Sequence, residues 1–531
     1  MNSRKLFRLG LAVAATFGLY LLLALRYPLG SSLENPRASW ASLVAPTGMN
    51  AILHLGIYLG ITLLYLVTMS ILARPGEVSA VQRGRQILVI LTTWLACSTA
   101  LMTAAPGGES HDIFDYIFRG RMMVEYQANP LVDIPNDFSL STPYARYLAW
   151  YKNVDTYGPV WEASSAVIAL SVRQTAHWLG WWDETSPVCP KSPESCQLLI
   201  MYITGYRLLA ILLTGLGGLL IARMVRRNQP SRVPLALAAW LLNPLVLVAS
   251  ALGGHNDAVM LVLILLSWWN LQHQRPFLAL LTLILAAHVK LTALIWLPVC
   301  LLWILRRWGW RRTLKIGMAS AISGLALSWF LYAPFGGWNS LPRMLHERSL
   351  YLANSSWRIL KTLLVDRWKW PVKRAHQLSI SLPSWLFGAG TILTSLWAFN
   401  FRPKRWRNTQ NNPNQPDSRL WRTLLAISLL YLVIGSFWFQ NWYILWAIAP
   451  AVLIPESRFT RFILPWLVFG ALSANVTMDF LLATTLKTAR PILRYTIPVV
   501  VIWMPAIIAA GVQSLGLQAG SMKRPTAGMR A

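Results

Sequence analysis

Charge is scarce in this chain, and acid is scarcest. Only 13% of its 531 residues are charged, and Asp and Glu together number 19. A soluble domain carries about 25% charged residues, so this chain could not cover a water-facing surface, and a soluble enzyme is excluded. The hydrophobic share of 55% and a mean hydropathy of +0.45 exclude a disordered or fibrous chain as well. Cysteine is nearly absent, with four residues and no metal-type spacing. Cys97 and Cys300 fall in apolar runs and read as small hydrophobes. Cys189 and Cys196 share one loop, where an oxidising compartment would permit a disulfide. The chain also lacks a P-loop, an HExxH zinc motif and a GxSxG elbow, so those standard chemistries are not signalled. No clean internal repeat is visible.

What the chain has in abundance is apolar sequence in runs long enough to cross about 30 Å of hydrocarbon. Runs fall near 9–25, 51–72, 87–105, 198–222, 233–251, 256–272, 276–287, 290–305, 313–334, 383–400, 421–437, 442–455, 461–480 and 493–516. The expectation is an all-α polytopic membrane protein with twelve to fourteen transmembrane helices, folded as one integral membrane domain. The short runs 276–287 and 290–305 read as a hairpin. A single continuous span there would put Arg306, Arg307, Arg311 and Arg312 on the outside. The first run follows Arg4, Lys5 and Arg8 without a small-residue cleavage site, and reads as an anchor.

A formal charge of +29 and a pI near 10.6 invite a nucleic-acid reading. The placement of the charges argues against it. With both termini inside, 27 of the 48 Lys and Arg fall in short inside loops, which is the signature of membrane topology. The 28 Trp fit membrane interfaces equally well. This distribution predicts a multi-pass protein of the cytoplasmic membrane with no nucleic-acid partner. Of the acids, only Glu77, Asp417 and Glu456 lie inside, so the chemistry is expected at the outer, extracytoplasmic face.

Two outer loops are too long to be mere connectors. The stretch 106–197 holds eleven acids, and 335–382 holds eight Lys or Arg. Within the first, 161–178 (WEASSAVIALSVRQTAHW) reads as a helix lying on the membrane surface. The stretch 401–422 reads as a solvated cytoplasmic linker.

Polar chemistry gathers in a few places. Directly after the third run come His111, Asp112, Asp115, Arg119 and Arg121. Asp112 and Asp115 share a helix face, and Arg119 follows Asp115 at ion-pair spacing. A salt-bridged surface helix explains part of this, yet charges at a bilayer boundary are expensive to leave unpaired. Tyr157-Gly158-Pro159 is a turn into a helix. Gly253-Gly254-His255-Asn256-Asp257 follows Asn243-Pro244; it either caps the next helix or presents imidazole, amide and carboxylate together. His288-Val289-Lys290 tips the hairpin, where the lysine either snorkels to the interface or binds phosphate. Gln440, Trp442 and Tyr443 form another outer turn.

Taken in order, DIFDYIFRGRMMVEYQANP (112–130), TYGPVWEASSAVIAL (156–170), NPLVLVASALGGHNDAVMLVLILL (243–266), LILAAHVKLTALIWLP (283–298) and QNWYILWAIAP (440–450) resemble the GT-C superfamily of polytopic glycosyltransferases. The likeness is to bacterial polyprenol-phosphate-mannose-dependent mannosyltransferases. Two departures stand out: Leu131 and Gly158 occupy positions where such enzymes often carry Tyr and Pro. The resemblance implies transfer of a hexose, mannose first, from a polyprenyl-phosphate sugar to a lipid or glycan acceptor outside the cytoplasm, with inversion. It implies an essential acid at Asp112, with Asp115 as second choice. An acceptor hydroxyl attacking an oxocarbenium-like carbon needs one carboxylate base, and that agrees. The departing phosphate needs cations, for which Lys290, His288, Arg343 and Arg348 are candidates. His111, Arg119, Arg121, Tyr157, His255, Asn256, Asp257, Gln440, Trp442 and Tyr443 are the candidate sugar and acceptor contacts. A divalent metal is a further candidate, although no complete ligand set is visible. The competing readings are a flippase or transporter of lipid-linked saccharides and an outer-face saccharide ligase.

Overall fold

The computed structural model describes residues 3–34, 48–74, 79–105, 110–138, 147–180, 193–399, 418–483 and 491–522. Among them the chain is all-helical, as expected, with nineteen α-helices and no strand. The first half comprises α1 (Ser3–Arg26), α2 (Leu29–Glu34), α3 (Met49–Ala73), α4 (Ala80–Met102), α5 (Asp112–Glu125), α6 (Pro159–Trp178), α7 (Pro193–Arg226), α8 (Val233–Leu241), α9 (Pro244–Leu247), α10 (Asp257–Gln272) and α11 (Pro276–Ala287). The second comprises α12 (Leu297–Tyr332), α13 (Leu341–Ser349), α14 (Ser356–Asp366), α15 (Val372–Phe399), α16 (Ser418–Leu430), α17 (Leu445–Ala451), α18 (Leu464–Ala483) and α19 (Pro491–Met522).

Nine helical stretches of the described residues are long and apolar enough to cross a membrane, or ten if one bent pair counts as a span. The expectation of twelve to fourteen differs for physical reasons. Run 233–251 is broken at Asn243-Pro244, where the asparagine side chain accepts from the amides of Leu245 and Val246. The two helical pieces, Pro230–Leu241 and Pro244–Leu252, meet at 54°. Runs 290–305 and 313–334 fuse into one helical stretch, with a break only at Gly309 (φ 76°). Helices α10 and α11 are apolar but short. Run 442–455 does not form a crossing helix. It forms a short helical turn (Asn441–Ile444) and α17, and residues 441–455 are buried throughout. Hydropathy reports that a segment avoids water; it does not say whether lipid or protein surrounds it.

Helix α6 covers the expected 161–178 but is docked rather than free. Glu162, Ser165, Ala169, Val172 and Ala176 face inward, while Val167, Leu170 and Trp178 are exposed. Helix α5 can approach closely because Gly120 has no side chain; a Cβ there would lie 2.7 Å from the Ser165 carbonyl oxygen. Tyr206 of α7 donates its hydroxyl to the Tyr116 carbonyl at 2.8 Å, pinning α5 from the other side. Arg207, fully buried, donates to the carbonyls of Met102 (2.7 Å) and Leu252 (2.9 Å), capping two helix ends at once. Cys97 and Cys300 are buried free thiols. The Cys189–Cys196 pairing and most of the linker 401–422 lie outside the described residues.

Candidate active site

The α5 helix begins at Asp112, whose amide is held by the Ser110 hydroxyl at 3.1 Å. It places Asp112, Asp115 and Arg119 on one face, over a pocket with about 660 Å³ of empty space, mouth included. The loop 150–157 forms a second wall with Trp150, Asn153, Asp155 and Tyr157. The end of α13 and its following turn supply Glu347, Arg348 and Tyr351. The stretch 438–443 supplies Trp438, Gln440, Trp442 and Tyr443. These last two stretches are tied together by backbone hydrogen bonds from Ala353 to Phe437 and from Phe439 to Ala353.

Asp155 organises the second wall. One carboxylate oxygen accepts from the amides of Thr156 (2.6 Å) and Tyr157 (3.0 Å). The other pairs with the Arg119 Nε at 3.1 Å. Arg119 also donates to the Asn153 carbonyl at 3.0 Å, so one guanidinium fixes the whole loop. The result is that Tyr157 presents its hydroxyl to Asp112 Oδ2 at 3.5 Å. Asp115 accepts from the Trp150 amide at 3.2 Å. Burial raises the carboxyl of Asp112 above its usual range and pushes that of Asp115 up to about 7.

The turn Tyr157-Gly158-Pro159 is pressed against the hairpin tip. Gly158 donates to the Val289 carbonyl and Val160 to that of His288, both at 3.0 Å. A Cβ on residue 158 would lie 2.1 Å from the His288 carbonyl oxygen. Glycine is required here by close approach and not by backbone conformation, since φ is −89°. Proline at this position would both clash and lack the N–H.

Of the expected site residues, Asp112, Asp115, Arg119, Tyr157, Arg348, Gln440, Trp442 and Tyr443 line the pocket. Arg348 donates to the Tyr443 hydroxyl at 3.1 Å and lies 5.8 Å from the Trp438 ring centre. A second group stands behind this wall. His255 stacks on Trp442 with ring centres 4.1 Å apart, and burial lowers its imidazole to about 3, leaving it neutral. Asn256 is fully buried beside it. Lys290 pairs with Asp257 at 3.0 Å, and Trp446 donates to the other oxygen of Asp257 at 2.6 Å. The ammonium lies 4.6 Å from the Tyr443 ring centre and 5.4 Å from that of Tyr157. It is enclosed by protein and is not among the pocket's lining residues.

Four more of the expected residues stand neither in the pocket lining nor in the group behind its wall. Arg121 makes a two-pronged pair with Glu125 one helical turn on, at 2.7 and 2.6 Å. Arg343 is exposed on α13. His288 has its ring on the Ile284 carbonyl at 2.8 Å and serves the site through its backbone. His111 precedes α5, with its imidazole lowered to about 4 by burial. Conversely, the motif reading missed Trp150, Asn153, Asp155, Glu347, Tyr351 and Trp438. No three His, Cys, Asp or Glu side chains gather to hold a metal ion among the described residues.

A pocket lined by a carboxylate beside a hydroxyl-presenting tyrosine, an arginine and several aromatic rings has the groups to hold a sugar and move a proton. The comparisons with known proteins bear on the reaction class. No curated protein matched. The family model for glycosyltransferase family 87 matches residues 196–436. The model described as alpha-(1->6)-mannopyranosyltransferase, N-terminal domain, matches residues 12–306, which takes in α5, the loop 150–157 and the hairpin tip. That match spans more than half of the 531 residues, and the chain therefore belongs to the MptA/B family of alpha-(1->6)-mannopyranosyltransferases, among the glycosyltransferases.

Proposed function

We propose that this glycosyltransferase moves a mannosyl group from a polyprenyl-phosphate sugar to a hydroxyl of a lipid or glycan acceptor, with inversion, at the extracytoplasmic face. The observation that carries the reading is that one pocket is lined by Asp112 from α5, by Arg348 from α13 and by several aromatic rings. Asp112 takes the proton of the acceptor hydroxyl as that oxygen bonds to the anomeric carbon. The bond from that carbon to the phosphate oxygen breaks, and its electron pair leaves with the polyprenyl phosphate. The leaving group is already a stabilised anion and needs a cation more than an acid. Arg348, a lining cation with no carboxylate partner among the described residues, is assigned that role in preference to the enclosed Lys290. Burial raises the basicity of the Asp112 carboxylate, which suits a base. Tyr351, Trp438, Trp442 and Tyr443 offer flat apolar faces to a sugar ring.

The prenyl tail reaches the pocket from the lipid, since it cannot enter water. Both termini are placed on the cytoplasmic side and most of the acids outside, a sidedness supported by the clustering of Lys and Arg and requiring an even number of spans. No step is assigned to a divalent ion; transfer with and without chelator tests for one. The deciding experiment supplies purified protein in detergent with polyprenyl-phosphate mannose, glucose and arabinose and a membrane extract as acceptor. Transfer from one donor that is lost in Asp112→Asn establishes sugar and base together. A folded Asp112→Asn enzyme that still transfers removes Asp112 from the role.

A further inference from the structure

Glu162 is fully buried on the first turn of α6, and among the described residues no donor is placed on either of its carboxyl oxygens. An ionised carboxylate in that position would be very costly. Its neighbours cannot relieve it. From the loop comes Asp155, a second acid, itself only 4% exposed; from α5 comes Arg119, already bonded to Asp155. From α7 comes Tyr206, whose hydroxyl is spent on the Tyr116 carbonyl. Asp115 lies beyond Arg119. A single guanidinium thus serves three carboxyls, and the one with no donor placed on it is the one that cannot stay charged. Burial first, and then the Asp155 charge, raise the Glu162 carboxyl well above the usual range.

We infer that Glu162 is a positioning residue that keeps its proton at neutral pH, which leaves Arg119 to Asp155 and so holds Tyr157 against Asp112. An ionised Glu162 would compete for Arg119 and repel Asp155. The Asp155 carboxylate would then release the amides of Thr156 and Tyr157, and the tyrosine would swing from the base. Glu162 touches no substrate; its proton sets the alkaline limit of the reaction.

The activity arm of the test rests on the transfer reaction proposed above, and the infrared arm does not. Glu162→Gln mimics the protonated acid. It is expected to keep turnover within about twofold of wild type at pH 7 and to lose the alkaline fall of kcat, with KM for donor unchanged. Asp155→Asn, which frees the same loop at all pH values, is expected to lower kcat about tenfold, or about 1.4 kcal/mol of barrier. In infrared difference spectra at pH 7, wild type should show a protonated carboxyl band absent from Glu162→Gln. Absence of that band difference overturns the inference, whether or not transfer is detected. So does a Glu162→Gln protein that folds but is inactive at every pH, or one that keeps the wild-type alkaline limb.

Discussion

Replacing Gly158 by alanine tests how the site is held together. The added Cβ would sit 2.1 Å from the His288 carbonyl oxygen, whereas a relaxed carbon–oxygen contact needs about 3.3 Å or more. The turn must therefore retreat by about 1.2 Å from backbone, which has little give. Both hydrogen bonds at this junction, Gly158 to Val289 and Val160 to His288, would stretch or break. At about 1 kcal/mol each, with about 1–3 kcal/mol for overpacking, the variant should lose roughly 3–5 kcal/mol of stability if nothing else relaxes. The functional effect is larger, because Tyr157 is the adjacent residue and a shift of about 1 Å at a reacting centre costs about a hundredfold. Purified Gly158→Ala protein should unfold at lower temperature and show kcat down about a hundredfold with donor KM nearly constant. Gly10→Ala, where a Cβ meets nothing within 4 Å, is the control and should change neither. Wild-type turnover in Gly158→Ala would show that the junction does not position the base.

Two further outcomes follow from charges in the pocket. Arg348→Gln should lower kcat/KM for the lipid-phosphate donor at least tenfold, with Arg348→Lys intermediate because its point charge lacks the planar fork; equal values for all three would move phosphate binding elsewhere. For Asp115, the folded carboxyl is raised from the ordinary 3.8 to about 7 by burial, so the folded state holds its proton longer than the unfolded chain. Stability from this group is full below pH 4, falls by up to about 1.4 kcal/mol per unit as pH rises towards 7, and is flat above. The thermal midpoint of Asp115→Asn relative to wild type should rise across that window and then level; a constant difference from pH 4 to 8 refutes it.

Much of the fold was legible because lipid imposes long apolar runs, and the runs near α1, α3, α4, α7, α15, α16, α18 and α19 sit where hydropathy put them. The hairpin tip at 288–290 was equally plain. The site was readable where its residues fall within one helix or turn, as with Asp112, Asp115 and Arg119. It was not readable where contacts join distant segments: Asn153 meets Glu347 and Tyr351 across some two hundred residues, and no local spacing encodes that. Arg121 looked like a site residue although Glu125, four residues on along the same helix, stands at ion-pair spacing and holds it. A signal for Glu162 did exist. Residues 162, 165, 169, 172 and 176 recur at three and four, with Ser165, Ala169 and Ala176 small enough for close packing. That stripe is an inward face, and an acid at its head belongs inside.

The pocket is closed along a seam between two portions of the chain. Asp112, Asp115, Arg119, Asp155 and Tyr157 lie within 12–306, whereas Arg348, Tyr351 and the 438–443 wall lie beyond it. The residues proposed to remove a proton thus come from one stretch of sequence, and most of the surface proposed to meet the sugar and the lipid phosphate from another. On the proposed reading, substitutions in the 348–351 and 438–443 walls would alter which partners bind while leaving the proposed base in place. The cost of such changes is limited by bonds crossing the seam, among them Asn129 to Phe335, Asn153 to Glu347 and Tyr351, Trp296 to Ser428, and Trp446 to Asp257.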